Sequence, residues 1–145
     1  MFPQLKIKVE HSKLVGATPE KVYAILANPQ HHKRILPDAF TSVTETPEGT
    51  LFVTLKLGLS RRTLHIRHET SKPNKLFRER DLLTNIVTEF RLEPYEDATL
   101  VTIATEYQPR GFNAILEALT APPLLRQLYE EELTKLCRYA LIAVV

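Results

Sequence analysis

Cysteine occurs once in the 145 residues, at Cys137, which excludes an internal disulfide and any paired-cysteine metal or redox motif and is compatible with a reducing compartment. Glycine occurs only at 16, 49, 58 and 111, too few and too scattered for a glycine-rich phosphate cradle. No GxSxG elbow surrounds a serine, and Cys137 has no histidine at a telling spacing, so it reads as a packed thiol rather than a nucleophile. Charge of either sign is not in excess: the net charge is +2, and the basic residues are dispersed apart from His31 to Arg34 and Arg61-Arg62. That leaves no field for a polyanion, and no nucleic-acid partner is expected. No apolar run approaches the roughly 20 residues of a membrane-spanning helix, and the opening MFPQLKIKVEH alternates instead of forming an apolar signal core. These absences, with 43% hydrophobic residues, lead us to expect one domain over residues 1–145 with a proper core, unprocessed and cytoplasmic, its oligomeric state open.

What is present is periodicity. Leu5 to Val15 alternates with a period of two, the mark of a strand with one wet face. Gly16 ends it, Thr18 is placed to cap a helix with Pro19 in its first turn, and Val22, Ile25 and Leu26 form a helical stripe that Asn28-Pro29 stops. A second short helix follows in PQHHKRILP. Six further strands are expected over Ala39–Glu45, Thr50–Leu59, Arg62–Thr70, Lys75–Leu82, Asn85–Glu93 and Thr99–Tyr107, separated by the turn signals TPEG, SKPN, LLTN and EPYEDA. The connections are too short for parallel crossovers, so the sheet is expected to be an antiparallel meander. After QPRG the period becomes helical, with an expected break at TAPPL and a new helix capped by Thr120 and running to about Ala143. This last helix has the only long apolar stripe available to cover the sheet.

The stripe contains an anomaly. Taking Leu125 as zero, Leu136 falls at about +20°, Tyr129 at about +40° and Ala140 at about +60°, while Glu132 falls at about −20°, inside the apolar face. Glu130 and Glu131 project away from that face, toward water. A carboxylate in such a stripe needs water, a cation or a donor. Either the helix is rotated slightly or the carboxylate reaches an edge and pairs with an arginine, or it is the polar orienting group of an otherwise apolar pocket.

The segments ATPEKVYAILANPQHHKRILP and EYQPRG, with Ala17, Pro19, Val22, Tyr23, Asn28-Pro29, Leu36-Pro37, Tyr107, Pro109 and Gly111 at their positions in this element order, resemble the START/Bet v 1-like helix-grip superfamily, which includes polyketide cyclase/dehydrase-like and lipid-transport-like proteins. The resemblance spans nearly the whole chain and rests on architectural residues. It implies an α+β fold in which a curved antiparallel sheet of about six or seven strands wraps a long C-terminal helix, with two short helices after the first strand. It also implies a cavity for a lipid, sterol, polyketide or other apolar molecule. The chain departs from well-known members in having no tryptophan and in carrying Pro122-Pro123 in the terminal segment.

Within that frame Glu132, Tyr129, Leu125 and Leu136 on the helix, and Thr88, Phe90, Thr105 and Tyr107 on inward strand positions, are candidate ligand contacts, the hydroxyls being the more informative members. In KLFRERDLL the parities Leu76-Arg78-Arg80-Leu82 and Phe77-Glu79-Asp81-Leu83 are equally apolar. Arg78 and Arg80 are therefore candidates for a cationic anchor if they face inward, or for cross-strand ion pairs if they face out. The neighbours His31 and His32 point about 100° apart on a helix, and His65 and His68 lie on opposite faces of a strand, so neither pair chelates well and no metal or cofactor is expected. The leading expectation is non-covalent binding or transport of an apolar or amphipathic small molecule. The rivals are a cyclase/dehydratase-like enzyme using Glu132 as acid or base beside Tyr129 or Tyr107, and an interaction module with a filled core.

Overall fold

The computed structural model describes residues 5–57, 59–109 and 114–145. Among them the chain runs β1 (Ile7–Val15), α1 (Pro19–Ala27), α2 (Pro29–His32), β2 (Phe40–Glu45), β3 (Leu51–Leu57), β4 (Ser60–Lys72), β5 (Leu76–Asp81), β6 (Val87–Tyr95), β7 (Ala98–Tyr107) and α3 (Ala114–Ala140). The strands form one antiparallel sheet in the order β1-β7-β6-β5-β4-β3-β2. β2 to β7 are thus a continuous meander, and the first strand returns to pair with the last. The α1–α2 pair carries the chain from one edge of the sheet to the other.

Local chemistry sets the elements. The Thr18 hydroxyl accepts the Lys21 N–H at the start of α1, and Asn28 both ends that helix and caps the next by accepting the Gln30 N–H at 3.0 Å. Gly49 takes φ 85° in the turn between β2 and β3, a conformation that glycine adopts without strain. β6 and β7 are joined by a two-residue hairpin, Glu96-Asp97, with Tyr95 opposite Ala98. That is tighter than the EPYEDA loop expected from the sequence.

The α+β helix-grip architecture is borne out, with seven strands among the described residues. α3 lies on the concave face and buries Leu128, Tyr129, Glu132, Leu133, Leu136 and Ala140 against it. The expected phase of the helix holds, and Leu133, which is fully buried, extends the stripe.

Two features of α3 differ from expectation. The helix begins at Ala114, not at Thr120, and continues through Pro122 and Pro123. Each proline lacks the N–H that would bond the carbonyl four residues back, so the loss is confined to the carbonyls of Ala118 and Leu119 while the turns on either side hold the helical path. Glu130 and Glu131 are also not simply solvated. Glu130 accepts from His11 at 2.5 Å and Lys13 at 2.6 Å on β1, and Glu131 accepts the Asp38 N–H at 3.1 Å, so the flanks of α3 are tied to both sides of the grip. Gly111, one of the residues that carry the resemblance, lies outside the described residues.

Candidate functional site

Between α3 and the strands lies a cavity of about 150 Å³. Ile86, Thr88 and Thr105 form its floor, Leu55, Leu64 and Ile66 one wall, and Leu125, Leu128, Tyr129 and Glu132 its roof. A cavity of about 150 Å³ is the size that admits a single benzene ring. Arg62, Thr84, Ile86 and Tyr107 border both this cavity and an open cleft of about 820 Å³ at the end of the sheet, so the cavity communicates with the surface there.

The inner end of the cavity is polar. His32 closes α2 with 1% of its surface exposed. The Asn28-Pro29 break places it there, and its Nδ1 donates to the Leu26 carbonyl at 2.8 Å in the last turn of α1. Nε2 therefore faces inward, 2.8 Å from Glu79 Oε1 and 3.6 Å from Glu132 Oε1. Beyond Glu79 lies His68, its Nε2 3.9 Å from the same oxygen. His32 stacks on His68 and packs edge-on against Phe90. The short His32–Glu79 approach is that of an ion pair out of line for a hydrogen bond, since His32 Nε2, Glu79 Oε1 and Glu132 Oε1 are all buried without an aligned partner among the described residues.

Electrostatics divides the cluster. Burial alone would lower the His32 pKa, but the Glu79 charge, with Glu132 beside it, prevails and raises it to about 10. Burial acts to raise Glu79, and the His32 charge outweighs it and holds Glu79 below its ordinary value. Glu132 goes the other way: burial first, then repulsion by Glu79, lifts it to about 7 against the pull of His32. His68 is pushed down to about 4 by burial and by the His32 charge, and is neutral at pH 7. On the sheet side of the cavity the Tyr129 hydroxyl meets Thr105 Oγ1, which is 2.8 Å from Thr88 Oγ1, and burial pushes Tyr129 up to about 12.

Of the residues singled out in the sequence, Glu132, Tyr129, Leu125, Thr88, Thr105 and Tyr107 border the cavity. Leu136 and Phe90 do not; they are 0% and 1% exposed and packed within the core. Arg78 and Arg80 take the outward of the two faces that the sequence left open, so they are ion-pair residues and not anchors in the cavity. They lie on the outer side of β5, with Arg78 3.3 Å from Glu89 and Arg80 3.4 Å from Glu69. The inward parity is Phe77-Glu79-Asp81 instead, because Phe77 fills the core completely and each acid finds partners. Asp81 accepts from the N–H groups of His65 and Leu83 and from the Thr84 hydroxyl.

Sequence reasoning missed His32, His68 and Glu79. A signal for His68 existed, since it shares parity with Leu64 and Ile66. His32 and His68 meet although spacing had weighed them only in separate pairs, with His31 and with His65, and with Glu79 they bring three ligand atoms within 4.8 Å of one another. Both Nε2 atoms approach the same Glu79 oxygen, at 2.8 and 3.9 Å, and the two rings stack with an interplanar angle of 25°, so the cluster as placed is an ion-pair network.

A grip sheet, a covering helix and an apolar cavity with a polar inner end define the START/Bet v 1-like class. The chain belongs to the polyketide cyclase / dehydrase and lipid transport family, whose sequence pattern it matches over residues 6–140. No curated protein sequence matches it. Among solved structures it is similar to the KanY protein (18% identity, 96% of this chain and 99% of that one, TM-score 0.78). It is similar to the Zhui aromatase/cyclase from Streptomyces sp. R1128 (17%, 94% and 92%, 0.67). A third is norcoclaurine synthase from Thalictrum flavum, solved in complex with dopamine and hydroxybenzaldehyde (14%, 98% and 90%, 0.73). At these identities the likeness is one of fold. No helix among the described residues is long and apolar enough to cross a membrane.

Proposed function

We propose that the protein binds a small, largely apolar molecule of about ring size, non-covalently, in the cavity beneath α3, with Glu132 orienting it. The observation that carries this reading is an apolar cavity of about 150 Å³ with a buried carboxylate oxygen, Glu132 Oε1, that has no aligned donor at its inner end. Such an arrangement costs stability in the free protein and is offset when a ligand supplies the donor. A filled-core interaction module is disfavoured by the same cavity.

Native mass spectrometry of the protein as purified tests the reading, followed by thermal melts with a panel of monocyclic apolar fragments. Extra mass that is lost on denaturation, or melting raised by a fragment, supports it. Neither effect with any fragment would sink it.

One observation favours a second reading, catalysis. Glu132 titrates at about 7 and lies 3.6 Å from His32 Nε2, the range in which a carboxyl group serves as general acid or base. Its mark is a bound compound that is turned over by the wild type and bound but left unchanged by Glu132→Gln.

A further inference from the structure

Resting on the cavity reading above, we infer that the ligand group received at the inner end of the cavity is a hydrogen-bond donor, a hydroxyl or a protonated amine on a ring-sized apolar body, and that carboxylate-headed molecules are rejected there.

The inventory of polar atoms leads to this class. Facing Glu132 are His32 from α2, Glu79 and Asp81 from β5, His68 from β4 behind Glu79, and Tyr129 from α3 itself. Among the described residues the one inward cation, His32, is already 2.8 Å from Glu79, so the two charges cancel and Glu132 is left over. Asp81 is already engaged by three donors, two on Oδ1 and one on Oδ2. Lys135, on the same helix as Glu132, turns away to the Leu36 carbonyl and Asp38 at 2.9 and 2.6 Å. Arg62 stands at the mouth, its side chain 60% exposed and 3.8 Å from Glu117. Among the described residues the inner end therefore offers acceptors and no spare cation.

A hydroxyl or ammonium completes Glu132 Oε1. A carboxylate entering the same place meets two acids in a dry setting, where like charges repel strongly. Burial raises Glu132 to about 7, so ionisation of this group adds a direction. A cation gains affinity as Glu132 deprotonates, an anion loses it, and an uncharged hydroxyl changes little.

Four probes share a phenyl ring and a two-carbon arm: 2-phenylethylamine, 2-phenylethanol, phenylacetate and ethylbenzene. Each is titrated into the full-length protein and followed by 1H–15N NMR at the backbone amides of Thr88, Thr105 and Glu132, between about pH 6 and pH 8. The amine and the alcohol are expected to bind about tenfold or more tightly than phenylacetate at the upper pH, the ratio one charge-assisted hydrogen bond supplies. The amine is expected to strengthen with pH and phenylacetate to weaken, and Glu132→Gln to erase both trends.

Phenylacetate binding as tightly as the alcohol, or ethylbenzene matching it, overturns the donor inference while leaving the cavity reading standing. No shift at these amides with any probe overturns both. Should Glu132→Gln fail to fold, the opposite pH trends of amine and carboxylate in the wild type decide the matter alone.

Discussion

His32, Glu79 and Glu132 are three ionisable side chains in one buried space, and their distances assign them different roles. His32 lies closer to Glu79 than to Glu132, 2.8 against 3.6 Å, so Glu79 is the counter-ion and Glu132 the surplus acid. Glu79→Gln removes the nearer counter-ion of His32 but leaves Glu132 3.6 Å away to take its place, so it is expected to cost less in denaturant unfolding at pH 7 than the roughly 3–5 kcal/mol of a stranded buried charge. Glu132→Gln removes only the surplus charge and is expected to leave stability equal or higher, with its parallel control Glu131→Gln near neutral. The pH dependence has a definite sign. The Glu132 pKa is raised from 4.5 to about 7 in the fold, so its contribution is fully present below 4.5 and is lost as pH rises to about 7, a loss of roughly 3 kcal/mol. His68, lowered to about 4, works against it, adding stability as pH rises from there to 6.5. The wild-type profile alone is therefore nearly flat, and the informative quantity is the stability of Glu132→Gln minus that of the wild type, which is expected to grow between pH 4.5 and 7. Above 6.5 the His32 contribution in the wild type is lost as pH climbs through about 10, and in Glu132→Gln it is smaller and lost earlier, because Glu132 helps to raise the His32 pKa.

In α3, covering the sheet and tying down its edges are separate tasks carried by separate faces. Leu136 is 0% exposed in the centre of the apolar stripe, and Leu136→Ala is expected to cost about 2–5 kcal/mol by chemical denaturation. Glu130 looks as important on paper, since hydrogen bonds from Lys13 and His11 hold its pKa down to about 2. Its side chain is 46% exposed, however, and solvent screens such pairs. Glu130→Gln is expected to cost less than about 1 kcal/mol. Pro123 is solvent-exposed inside the helix and forfeits a backbone bond without a packing return, so Pro123→Ala is expected to raise the melting temperature. A lowered value would mean that the proline has a role in shaping the mouth of the cavity. The boundary of α3 was misjudged from sequence because a proline pair penalises helix locally, whereas a 27-residue amphipathic helix packed on a sheet has enough burial to carry two lost bonds.

For the whole molecule, closure of β1 onto β7 and the grip of α3 leave a cavity of about 150 Å³ beside a packed core, and on the proposed binding function the stability of the fold is linked to occupancy of that cavity. A ligand held at about a hundred times its dissociation constant should add close to 2.7 kcal/mol, a shift readable in thermal melts and absent in a variant whose cavity is filled, such as Ile86→Trp.

The element order, the antiparallel meander and the inward faces of β6, β7 and α3 were legible in the chain, because strand and helix periodicities set which side chains share a face before any contact forms. Glu132 was legible for the same reason, as an acid on an apolar stripe. The inward face of β5 was not, since its two parities are equally apolar, and the choice fell to Phe77 packing in the core and to Glu79 meeting a cation 47 positions earlier, His32. Nor was the histidine cluster, because spacing along the chain tests only neighbours within one element. α2, β4, β5 and α3 each contribute one member of this group, and only strand register and helix docking bring them to 2.8–3.9 Å from a neighbour in the group, where burial and mutual charge then set how each ionises.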